Sequence, residues 1–273
     1  PAARRIARSK NVELADLVGS GPRGRVQSKD VRAFAAKHKE PSSVAADIVP
    51  LDGMRRTIAE RLTQSYRTVP HIDLTVRVNM RAFQEARARI NEALTSRDKG
   101  HVSVTAFIVK AVAWALKSNP WLNSTLSDKG IHLLEGIHIG VAVALQPGLV
   151  VPVVQDADHK SLTAIASELG TLVTRAQDGQ LRSSDLAGGT FTVTNLGAMG
   201  IGHFKAIINP PEAAILAVGA IESAFIPDKD GKPVMCPVMH MTLSADHRIV
   251  DGATAARFLS DLVLALEQPV LLL

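Results

Sequence analysis

The sequence has a single cysteine, Cys236, so no intrachain disulfide can form and thiolate zinc sites are excluded. A reducing compartment is the simpler setting for such a chain. It also lacks any apolar run near the ~18 residues of a membrane span, and its first residues show no signal peptide. Its nine histidines are scattered without ligand spacing, which argues against a metal site. There is no internal repeat and no low-complexity tract. What is present is 273 residues at 46% apolar composition, enough for one large core with a small appendage.

Charge divides the chain. Residues 1–40 hold ten Lys/Arg against four Asp/Glu, a net of +6. The other 233 residues hold 21 against 22, a net of −1. A small basic module with an acidic partner, joined to a near-neutral body, fits that split. The module spans residues 1–37. A short helix at Arg4–Arg8 carries Ile6 and Ala7, Val12 and Leu14 follow, and a glycine-rich loop runs from Gly19 to Arg25. A second helix starts at Ser28, its expected cap, with Val31 and Phe34 facing inward. Residues 38–49 lack periodicity and read as linker. The stripe Arg4, Arg5, Arg8, Arg23 and Arg25 has no interleaved aromatic and offers few phosphate contacts. Docking to an acidic protein surface fits it better than nucleic acid.

Residues 50–273 read as mixed α and β. Periodicity predicts helices at 53–68, 80–95, 103–118 and 161–178, the last with Leu162, Ile165, Leu169 and Leu172 on one face. Strands are predicted at 71–79, 137–145, 149–154, 190–195, 213–221 and 236–245. Gln146-Pro147-Gly148 and Asp128-Lys129-Gly130 read as turns.

Two segments carry chemistry. In Ser244-Ala245-Asp246-His247-Arg248-Ile249-Val250-Asp251-Gly252, a histidine and an aspartate stand four apart between a strand and a helix. Side chains on such a connection are presented to a ligand from a rigid base. The second segment, Thr190 to Gly202, is a strand entering a glycine-rich loop. Its glycines match neither G-x-G-x-x-G nor the P-loop, which sets phosphate binding by those motifs aside. A plain turn and a Thr194 hydroxyl aimed at a reacting centre both remain open from these residues alone.

The first segment resembles the D-H-R-x-x-D-G signature of the dihydrolipoamide acyltransferases, the E2 cores of 2-oxo acid dehydrogenase complexes. Other pieces of that family follow in order. Residues 1–37 resemble its peripheral-subunit-binding domain, with the G-x-G-x-x-G-R loop at Gly19 to Arg25. Arg55-Arg56-Thr57-Ile58-Ala59 is similar to the basic helix that opens the catalytic domain, and Phe191 to Gly197 to the F-T-[IVL]-[ST]-[NS]-x-G strand. Ile207 to Glu212 is similar to the stretch that follows it. E2 proteins also carry lipoyl domains with a lysine in a D-K-A setting; none occurs here, so the sequence reads as a fragment or trimmed form whose lipoate is carried elsewhere.

The resemblance implies an α/β sandwich similar to chloramphenicol acetyltransferase, preceded by a small all-α module. It implies acyl transfer between the dihydrolipoamide thiol and the coenzyme A thiol, with the acyl group held as a thioester at either end. A thiol of pKa about 8.5 is mostly protonated at neutral pH, whereas an imidazole of about 6.5 can accept its proton. By resemblance His247 is that base and Thr194 donates to the oxyanion. Asn195 assists the loop, and Asp251 pairs with Arg55 or Arg56 as an organiser. The family trimerises, with His247 meeting Thr194 of a neighbour, and trimers build 24- or 60-subunit cores. It buries the Pro269-Val270-Leu271-Leu272-Leu273 tail in a neighbouring trimer; packing on its own domain is the other outcome. The module holds the E1 or E3 subunit through charge, with Arg4, Arg8 and Arg25 at the positions that matter, so binding should weaken with salt. The expected location is the cytoplasm, or the mitochondrial matrix in a eukaryote. Acetyl is the first choice of acyl group, before branched-chain acyl and succinyl. A free-standing chloramphenicol-type acetyltransferase and a non-enzymatic E3-binding scaffold are the competing readings.

Overall fold

A computed structural model describes residues 2–10, 12–37, 50–51, 53–97, 100–145, 148–227 and 230–272. The chain divides into two units, Pro1–Leu51 and Asp52–Leu273. The expected linker at 38–49 and part of the turn at 146–148 lie outside the described residues.

In the first unit, helices α1 (Ala2–Ser9) and α2 (Ser28–Lys37) pack together, burying Ala7 and Val31. The loop between them is held by Asp30. Its carboxylate accepts from the Ser20 amide (2.9 Å), the Ser20 hydroxyl (2.6 Å) and the Gln27 amide (2.9 Å). The hydroxyl foremost, then the two amides, lower its pKa to about 2. Helix α2 already includes Ser28, so Gln27 and not Ser28 stands at the cap position; Asp30 reaches back to it as one half of a capping box. The glycine pattern has a steric cause at Gly19, where a Cβ would lie 2.3 Å from the Gly24 carbonyl oxygen. Arg4, Arg8 and Arg25 are exposed.

The second unit opens with α3 (Gly53–Thr68), β1 (His71–Asn79), α4 (Arg81–Thr95) and α5 (Val104–Ser118). Short strands follow: β2 (Ser124–Ser127), β3 (Gly130–Leu133), β4 (Ile139–Val141), β5 (Val143–Leu145), β6 (Gly148–Val150) and β7 (Val153–Val154). Then come α6 (Leu162–Gln177), α7 (Ser183–Leu186), β8 (Phe191–Asn195), β9 (Ala214–Pro227), β10 (Pro233–Asp246) and α8 (Gly252–Glu267). Six strands form one mixed sheet in the order β1-β10-β9-β8-β4-β7, parallel only across β9-β8-β4. The predicted strand at 137–145 is two strands: β4 stays in the large sheet, where the Ala142 amide makes a further bond to the Val193 carbonyl of β8 (3.0 Å), and β5 then pairs with β6.

Helix α5 is apolar nearly all round and, apart from the half-buried Lys110 and Trp114, is buried from Ala106 to Leu116, as such a composition requires. Ser103 caps it, accepting from the Ala106 amide at 3.1 Å. Contacts with α6 and α8 place it at the centre of the core. Alternation along β10 sends Met239, Met241, Leu243 and Ala245 into that core. Thr242 and Ser244, also buried, are served by hydrogen bonds instead. Ser244 donates to Asp73 (2.6 Å), to which Lys205 also donates (3.0 Å). The Ile208 amide donates to His71 Nε2 (3.2 Å) and His71 Nδ1 to the Val69 carbonyl (2.8 Å), an arrangement that fixes the neutral tautomer. Residues 201–209 thus run without regular structure, their partners supplied by side chains of β1 and by Ser65 of α3, which donates to the Ile208 carbonyl (2.7 Å). A bulge in the β9–β10 pairing admits them: a Cβ on Gly219 would lie 2.0 Å from the Gly202 carbonyl oxygen. Among the described residues no helix is long and apolar enough to cross a membrane.

Candidate active site

His247 follows the last residue of β10 and is exposed, while its backbone is fixed on both sides. Its own amide donates to the Pro70 carbonyl (2.9 Å), and those of Ile249 and Val250 to the Asp246 carbonyl (both 2.9 Å). Buried Asp246 accepts from the Arg248 amide (3.0 Å) and takes two guanidinium nitrogens, Nε at 2.9 Å and Nη2 at 2.6 Å. Every amide from His247 to Val250 is therefore engaged, and an ion pair brackets the imidazole. Such a supporting shell holds a reacting side chain in register.

Asp251 is the N-cap of α8, accepting from the Thr254 amide at 2.7 Å. That amide, the Thr254 hydroxyl and the Arg257 charge lower its carboxyl below the usual range; Arg55 and Arg56 are not among the groups responsible. Both arginines are exposed on α3. The four-residue spacing of His247 and Asp251 is the distance from the strand end to the helix cap.

Thr194 and Asn195 end β8, both half-buried. The Asn195 carbonyl oxygen accepts from the Gly197 amide (2.9 Å) and its amide nitrogen donates to the Thr105 hydroxyl (3.1 Å). Asn195 lines a cavity of about 480 Å³ with His101, Ser103, Thr105, Val143 and Met199. Thr194 Oγ1 has no hydrogen-bond partner among the described residues.

The structure does not bring His247 and Thr194 together within one chain. Thr194 is level with Ala217, which is level with Thr242, five residues before His247. At ~3.3 Å per residue and ~4.8 Å per strand, two strands across, the separation is roughly 19 Å.

Glu212 is a functional candidate that sequence reasoning missed. It is buried at the wall of a cavity of about 350 Å³, with Asn209 donating to Oε1 at 3.0 Å. Its Oε2 and the buried Thr192 hydroxyl have no hydrogen-bond partner among the described residues. Burial pushes its carboxyl up to about 7 from 4.5, against the opposing pull of the Asn209 hydrogen bond and the Arg61 charge. Between those values the folded state holds a proton that the unfolded chain has lost. This contribution to stability is complete below pH 4.5 and disappears as pH rises through about 7. Its ceiling is about 3 kcal/mol. Glu212→Gln should flatten the decline of stability between pH 5 and 8, measured by urea unfolding; parallel wild-type and variant curves would refute it. Among the described residues no group of three or more His, Cys, Asp or Glu could hold a metal ion.

Comparison with known proteins bears on both units. The family model described as 2-oxoacid dehydrogenases acyltransferase (catalytic domain) matches residues 44–273, and that of the e3 binding domain residues 1–32. The dihydrolipoyllysine-residue acetyltransferase component of the pyruvate dehydrogenase complex of Rickettsia prowazekii is 37% identical over 278 residues, covering 100% of this chain and 68% of that protein. The dihydrolipoamide acetyltransferase of Azotobacter vinelandii superposes with a TM-score of 0.79 at 30% identity, covering 85% of this chain and 97% of that one. In that protein a serine, a histidine and an asparagine have been investigated for their role in the catalytic mechanism, the last two standing four apart. The cubic core of a pyruvate dehydrogenase multienzyme complex gives 0.78 at 31%, covering 85% and 97%. Chloramphenicol acetyltransferase shares the fold alone, at 0.50 and 14%, covering 81% and 99%. The chain belongs to the 2-oxoacid dehydrogenase acyltransferase family.

Proposed function

We propose that the protein transfers an acetyl group between dihydrolipoamide and coenzyme A as a core subunit of a 2-oxo acid dehydrogenase complex. The observation that carries this is the anchored, exposed His247 in a D-H-R-I-V-D-G turn of the family's fold. Acetyl is preferred because the Rickettsia relative is an acetyltransferase. No lysine here stands in a D-K-A setting, so the lipoyl group is treated as a substrate borne on another domain.

His247 takes the proton of the attacking thiol, and the thiolate adds to the thioester carbonyl. Thr194 donates to the oxyanion that forms. The tetrahedral intermediate then collapses, breaking the original C–S bond, and the departing thiolate takes the proton back from His247. The separation within one chain is why these two roles fall to neighbouring subunits of a trimer. Asn195 keeps the Thr194 loop in shape. Asp251 organises the subunit boundary by capping α8 and by pairing with Arg55 or Arg56. In the Azotobacter protein an asparagine stands four after the histidine. Asparagine caps helices as well as aspartate does, so capping is the part of this role that does not need charge.

Residues 1–37 form the module that holds E1 or E3 through Arg4, Arg8 and Arg25; residues 38–49 are the linker and 50–273 the acyltransferase. The location is the cytoplasm, or the matrix in a eukaryote. Trimers join into a 24- or 60-subunit core through the C-terminal segment. There Leu272 packs into its own core, while Val270 is 76% and Leu271 41% exposed. Val270→Glu with Leu271→Glu should leave trimers and abolish the large core; light scattering that shows an intact core would overturn the docking role. The functional test is an assay of the purified protein with dihydrolipoamide and acetyl-, isobutyryl- or succinyl-CoA. The highest kcat/KM is expected with acetyl-CoA, and no turnover with any of the three would refute the reading.

A further inference from the structure

We propose that Thr105 is a positioning residue that orients the Asn195 carboxamide and, through it, the strand end carrying Thr194. This rests on the role proposed for Thr194. Asn195 is engaged at both ends, accepting from the Gly197 amide (2.9 Å) and donating to the Thr105 hydroxyl (3.1 Å). The Gly197 N–H admits only the carbonyl oxygen, so the amide nitrogen must face Thr105. Thr105 therefore acts as acceptor in this contact, and its own proton is directed elsewhere.

The two partners differ in how firmly they are held. Gly197 belongs to the same loop as Asn195, so that contact only shapes the loop. Thr105 lies in the first turn of α5, 90 residues away in sequence, where the buried run from Ala106 to Leu116 begins. Its hydroxyl is thus the contact that refers the loop to the most deeply buried helix. Both ends of this contact face the same cavity. An oxyanion donor is effective only when its aim is fixed in advance. The immediate neighbour of Thr194 is fixed by this contact.

The test compares Thr105→Val, which keeps the shape and removes the hydroxyl, with Thr105→Ser, which keeps the hydroxyl. Steady-state kinetics use dihydrolipoamide and acetyl-CoA. Thr105→Val should lower kcat about tenfold, the loss of one hydrogen bond, with KM for acetyl-CoA within about twofold, while Thr105→Ser stays near wild type. In a Thr194→Ala background Thr105→Val should cost little more, since both changes spoil the same donor. Wild-type kcat in Thr105→Val overturns the proposal. So does Thr105→Ser as slow as Thr105→Val, which would assign the effect to packing, or full additivity with Thr194→Ala. A Thr194→Ala variant with wild-type kcat would instead overturn the role of Thr194, and the valine–serine pair would still decide whether Thr105 positions the loop.

Discussion

His247→Ala is expected to lower kcat for acetyl transfer by about 10²–10⁴-fold, the usual contribution of a positioned base. The change should leave the fold intact. The imidazole is exposed and has no hydrogen-bond partner among the described residues, whereas the backbone that holds it is anchored to Pro70 and Asp246. Truncation removes the proton acceptor without removing a contact on which the turn depends. Turnover of the purified variant, read beside its thermal unfolding, checks both halves. Near-wild-type turnover would remove His247 from the mechanism, and a collapsed melting temperature would show that the ring supports the turn.

Thr194→Ala should lower kcat by about 10²–10³-fold, the typical cost of one oxyanion donor. KM for acetyl-CoA should change little, because the negative oxygen exists only in the transition state. Thr194→Ser, which keeps a hydroxyl, should recover most of the rate. A rise in KM with unchanged kcat would instead make Thr194 a ground-state contact. The residue is well suited to a donor role, since β8 is held between β4 and β9 and its hydroxyl is not committed to another group among the described residues.

Much of this was legible in the residues. The helix read at 53–68 and the strand read at 71–79 have limits that match the structure. The strand–His247–helix arrangement was legible as well, with Asp251 in the place where a helix cap belongs. The β2–β3 hairpin was missed apart from its turn: strands of four residues, three of them exposed in Gly130–Leu133, leave no alternation to read. Thr105 and Glu212 were missed for another reason. One is an ordinary threonine in an apolar helix and the other an ordinary glutamate after two prolines; partners distant in sequence make each unusual. Asp251 carries the same lesson, since its capping bond is local and visible, whereas any pairing with Arg55 or Arg56 depends on how elements meet.

If, as proposed, His247 works with Thr194 of a neighbouring subunit, the five-residue offset between them across the sheet has a genetic consequence. A His247→Ala subunit still supplies a threonine, and a Thr194→Ala subunit still supplies a histidine. Two inactive proteins, denatured together and allowed to reassemble at equal ratio, would form hybrid trimers. Random assortment around a cyclic ring would pair an intact histidine with an intact threonine at roughly a quarter of the subunit boundaries. Two dead alleles in one cell would then complement each other, and activity would return without any sequence having been repaired.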